Sequence, residues 1–142
     1  MGAILFTLAL VLALLTPENG GAADVPLAVI VHPDRRVGLS PEDVAQIYLR
    51  RKRFWDDGAP VVPLNLPSGT PLRERFSRLM LRQGDKSLAE YWNRQYFYGV
   101  LPPATLLSTE AVKRYVASDP NAIGYLPAAE VDPSVRLLFR LE

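Results

Sequence analysis

Short apolar blocks, separated by proline, glycine and acidic turns, set the pattern of the chain. Leu27-Ala28-Val29-Ile30-Val31 is a continuous apolar run closed by His32-Pro33-Asp34, which predicts a buried strand. Ser40-Pro41-Glu42-Asp43 then supplies a helix start: a capping hydroxyl, a proline at the first helical position and two acids where the helix dipole favours them. Val44, Ile47 and Tyr48, with Phe54 further on, form its apolar side, and Arg50-Arg51-Lys52-Arg53 sit at its C-terminal end, where cations offset unsatisfied carbonyls. Asp56-Asp57-Gly58 is a turn. Val61–Leu66 predicts a second strand, with Pro63 confined to an edge or to a position whose N–H the ladder does not need. Pro67-Ser68-Gly69-Thr70 opens a helix that places Leu72, Phe76, Leu79 and Met80 on one face and ends near Gly84. Ser87-Leu88-Ala89-Glu90 has the form of a capping box and predicts a third helix from Leu88 to Tyr98. Tyr91, Trp92, Tyr96, Phe97 and Tyr98 make this the bulkiest element, and aromatic residues at helical spacing read first as core. A strand about Thr105–Leu107, a helix capped by Ser108 or Thr109 and running to Ala117, and strands at Ala122–Leu126 and Val135–Phe139 complete the order β-α-β-α-α-β-α-β-β. The prediction is one α/β domain of two or three layers.

The 142 residues give room for one domain, and 49% apolar against 22% charged is enough core material to fold it. The absence of cysteine removes a disulfide scaffold, a thiolate zinc site, a cysteine nucleophile and an acylated N-terminal anchor. Gly2–Leu15 is 14 uncharged residues, short for a membrane span but suited to the apolar region of a signal peptide. The small residues Gly20-Gly21-Ala22-Ala23 suit cleavage after Ala23. The expectation is a signal peptide over 1–23, a mature domain over 24–142, a periplasmic location, and membrane contact only through an uncleaved signal.

Catalytic machinery is not evident. His32 is the one imidazole, and its proline turn reads as structure. The acids at 56 and 57 lack the alternating positions of a calcium loop. No nucleophile elbow surrounds Ser68, and a hydrolase using it would have no placed base. The expectation is a non-enzyme with no catalytic residue, no metal and no cofactor. Arg50–Arg53 beside Phe54-Trp55 could contact nucleic acid, but the net charge of +1, the predicted export and the role of cations at a helix end argue against that partner.

Ser68-Gly69-Thr70 carries the most specific chemistry. At a strand-to-helix junction, free N–H groups and the helix dipole attract an anion, glycine lets it approach the backbone, and hydroxyls add donors. Arg73 and Arg75 would raise the local positive potential. Ser68 as a plain helix cap is the other reading.

The stretch Leu39–Leu49 opening with a Leu-Ser pair, Phe54-Trp55-Asp56-Asp57-Gly58, Pro60-Val61-Val62-Pro63, Ser68-Gly69-Thr70 with Phe76, and Asp119–Tyr125 together resemble the periplasmic phosphate-binding proteins of ABC transporters, over about residues 27–130. The resemblance implies a single lobe of that fold, a mixed sheet flanked by helices. It also implies phosphate or a similar small anion held by Ser68, Gly69 and Thr70, with Arg73 assisting. Two departures weaken such a site. The mature length matches one lobe where the family has two, and Leu64 and Leu66 stand where the family has an arginine and an aspartate. The alternative reading is an envelope module that has lost ligand binding and docks on a protein partner through its aromatic helix or Arg50–Arg53.

Overall fold

A computed structural model describes residues 25–142; the predicted signal peptide lies outside the described residues. The chain runs β1 (Leu27–Val31), α1 (Pro41–Tyr48), β2 (Val62–Asn65), α2 (Pro71–Phe76), α3 (Asp85–Phe97), β3 (Ala104–Thr105), α4 (Thr109–Ser118), β4 (Ala122–Pro127) and β5 (Arg136–Leu141). The strands form one five-stranded mixed sheet in the order β3-β2-β4-β1-β5. β2 runs parallel to β3 and β4, while β1 is antiparallel to β4 and β5.

Alternation along β4 fixes the layers. Gly124 turns to α4, where an added Cβ would lie 2.5 Å from Val112 Cγ1, so the missing side chain is what lets that helix approach. Its neighbour Tyr125 points to the opposite face, stacking on Phe76 of α2 and meeting Tyr48 of α1. Helices therefore cover both faces of a sheet in which β1, an inner strand between β4 and β5, is fully buried along its length. This is the three-layer form of the expected α/β domain.

α1 starts as predicted, with Ser40 and Asp43 forming a reciprocal capping box. Its end differs from expectation: the helix stops at Tyr48, and Arg50 takes a left-handed conformation, φ +59. The basic run therefore follows the helix and does not fill its last turn. Phe54 is exposed and Trp55 buried. Arg35 holds the Trp55–Gly58 turn in place, lying over the indole at 4.6 Å and pairing with Asp57 at 2.7 Å.

Two helices depart from their sequence patterns. α2 continues as a π-helix over Ser77–Leu81, and the wider turn rotates Leu79 out of the apolar face while Phe76 and Met80 stay buried. α3 begins three residues before its predicted start, with Gly84 as cap and no side-chain capping bond; the Ser87 hydroxyl donates to Gln83 Oε1. The expectation of an aromatic core helix is also corrected. Leu88 and Tyr91 are buried and join Leu49 in a small cluster of their own, whereas Tyr96, Phe97 and Tyr98 are exposed. The last turn of α3 runs past the body of the domain, so periodicity there has nothing to pack against.

Candidate functional site

The turn that holds Ser68 is built from the strand beneath it. β2 delivers Asn65 and Leu66 to the sheet end, both buried. The Tyr125 hydroxyl donates to Asn65 Oδ1 at 2.5 Å, and the Leu66 N–H donates to the same oxygen at 3.0 Å. Burial pushes the Tyr125 hydroxyl pKa well above its ordinary value, so it stays a neutral donor. Pro67 then starts a tight turn in which Gly69, at φ +82, takes the left-handed conformation that glycine accepts without strain. Glycine is required here by its own backbone, not only by an incoming anion.

The four predicted ligands behave differently. Ser68 and Gly69 are exposed, and Thr70 and Arg73 are half-buried. The Thr70 hydroxyl donates to the Pro67 carbonyl at 2.8 Å, so its proton is committed inside the turn and it can offer a ligand only lone pairs. The Thr70 N–H also points to the Pro67 carbonyl, at 3.3 Å, and Pro71 has no N–H to give. Arg73 donates from Nη1 to the Leu66 carbonyl at 2.9 Å, which anchors the guanidinium over the turn and leaves its other nitrogens available. Arg75 is buried instead, with Nε and Nη1 unpartnered among the described residues.

Ser68 and Arg73 come together in a cleft of about 250 Å³ whose other wall is α3: Asp85, Leu88, Ala89 and Trp92. Sequence reasoning missed that wall, because the residues lie more than ten positions away with only a helical pattern to mark them. Chemically the cleft offers a hydroxyl, a fixed guanidinium and an indole. Asp85 opposes an anion and favours any ligand that brings a hydrogen-bond donor. His32, by contrast, is structural: its Nδ1 accepts the Asp34 N–H at 3.1 Å. No helix among the described residues is long and apolar enough to cross a membrane.

No protein-family model matches this sequence, and no curated protein sequence is significantly similar to it. Solved structures are similar in fold. An ABC-type phosphate transport receptor from Vibrio cholerae superposes with TM-score 0.64 at 17% identity, covering 80% of this chain and 46% of the receptor. A Clostridium perfringens protein assigned as a phosphate ABC transporter substrate-binding protein, with bound phosphate, gives 0.66 at 22%, covering 80% and 45%. PstS from Borrelia burgdorferi gives 0.63 at 17%, covering 80% and 47%. The chain therefore has the fold of a phosphate-transporter substrate-binding protein over somewhat less than half the length of those proteins. The expected lobe-like α/β architecture is the one observed.

Proposed function

We propose that this chain is an exported, periplasmic, non-enzymatic binding module that holds phosphate or a similar oxyanion in the cleft between the Ser68–Thr70 turn and α3. The observation that carries the reading is the meeting of Ser68 and a backbone-anchored Arg73 in one cleft, on a fold shared with a protein solved with bound phosphate. Binding is weak on this reading, because the cleft is open, the Thr70 hydroxyl proton is engaged and Asp85 repels a fully ionised anion. Calorimetric titration of the chain with phosphate and sulfate at low salt tests it. Saturable heat that Ser68→Ala and Arg73→Gln each reduce is the expected result; no heat at millimolar anion retires the site.

A second reading is favoured by a separate observation. Tyr96, Phe97 and Tyr98 are 69%, 87% and 80% exposed, three consecutive aromatic side chains at one helix end of the kind that serves as a protein contact. On this reading the module docks on an envelope protein through that end of α3, and anion binding is absent.

A further inference from the structure

The end of α1 carries a cation that the anion turn does not use. The Arg51 N–H donates to the Gln46 carbonyl at 2.9 Å and the Arg50 N–H to the Ile47 carbonyl at 3.0 Å, a Schellman arrangement with Arg50 at the left-handed position, φ +59. Glycine ordinarily fills that position, because a Cβ crowds the following carbonyl there. Strain of this kind persists where the rest of the site gains from the residue.

Arg50 lines a cleft of about 330 Å³ whose walls include Pro60, Val62, Pro63, Pro102 and Pro103. β3 pairs only with Leu64 and Asn65 of β2, so the cleft lies along the stretch of β2 that β3 leaves uncovered. The Arg50 Nη1 reaches the Val61 carbonyl at only 3.5 Å, and its Nε, shut off from solvent, has no partner among the described residues. The neighbouring charge is a second cation: Arg53 donates from Nε to the Arg50 carbonyl at 3.2 Å. A half-buried guanidinium whose Nη1 has only a long contact to a carbonyl, beside a like charge, is suited to receive an anion. Its planar fork matches a carboxylate, and the proline walls match an apolar body attached to one.

We propose that this cleft binds a carboxylate carried on a small apolar group, either a short branched acid or the C-terminus of a peptide. The proposal is independent of the Ser68 site. It is tested on the full chain by amide NMR titration with isovalerate, its neutral analogue isovaleramide, and N-acetyl-Pro-Val with a free or amidated C-terminus. Saturable shifts of the Val61, Val62 and Ala104 amides with isovalerate, absent with isovaleramide, are expected. Tighter binding of the free peptide than of isovalerate assigns the peptide source; the reverse assigns the free acid. Arg50→Gly abolishes the shifts while relieving the backbone, so it melts higher than the parent and reports a folded domain. Equal shifts from the amides, shifts that survive in Arg50→Gly, or no saturation with any carboxylate overturns the proposal. Phosphate shifts at Ser68 and Gly69, unchanged by Arg50→Gly, separate its failure from failure of the first site.

Discussion

Phe76 and Tyr125 stack face to face, their ring centroids 3.8 Å apart and their planes within 2°. Tyr125 therefore does two jobs. Its ring seats α2 on the sheet, and its hydroxyl fixes Asn65, three residues before Ser68.

Tyr125→Phe separates those jobs. The stack survives, and Asn65 Oδ1 keeps only the Leu66 N–H, so the loss is about 1–2 kcal/mol. Phe76→Ala empties the stack and costs about 3–5 kcal/mol. Urea unfolding measures both, and a Tyr125→Phe loss as large as that of Phe76→Ala would contradict this division.

Gly124→Ala drives a methyl into Val112 Cγ1. Overpacking of this kind costs about 1–3 kcal/mol. Adding Val112→Ala makes room, so in a thermal melt the double variant should be more stable than the sum of the two single losses predicts.

Thr70→Val and Ser68→Ala have opposite signatures. The Thr70 hydroxyl serves Pro67, so Thr70→Val costs stability, about 1 kcal/mol, and leaves the anion isotherm nearly unchanged. Ser68→Ala weakens the isotherm and leaves the melting temperature in place.

Within α3, Phe97→Ser changes stability by less than about 0.5 kcal/mol, as for exposed positions generally, because 87% of Phe97 already faces water. Tyr91→Ala costs about 3–5 kcal/mol: its ring is buried and its hydroxyl donates to the Leu49 carbonyl at 2.7 Å. Circular dichroism during denaturation reads both.

The acid limb of stability has a named contributor. Hydrogen bonds from Ser134, and then from Lys113, lower the Asp132 pKa from 3.8 to about 2. A carboxylate with a lowered native pKa stabilises the fold fully above its unfolded value and loses that effect as pH falls through the folded one. Asp132→Asn should therefore flatten the rise of stability between about pH 2 and pH 4, measured by urea midpoints across that window.

The sequence announced elements wherever local chemistry sufficed. Ser40-Pro41 made its cap as expected, the β1 run became a fully buried inner strand, and Ser68-Gly69-Thr70 became a turn at the end of β2. It failed where the outcome depended on a distant surface. Nothing local states that Phe97 lacks an opposing layer, that a π-turn carries Leu79 outward, or that Arg50 bends left-handed after α1. The second wall of the Ser68 cleft was hidden for the same reason: Asp85 and Trp92 reach it through the way α3 docks, a property of the assembled fold.

That docking is slender. Ser68 and Arg73 stand on the main core, but the facing wall rides on a helix whose buried contacts are Leu88 and Tyr91 against Leu49. With so few buried contacts, its amides should exchange with solvent hydrogen well ahead of those in β1. A solute held between the two walls would then act as a clasp. Occupancy of the cleft would be legible as slowed exchange along α3, and the helix itself would report whether the site is filled.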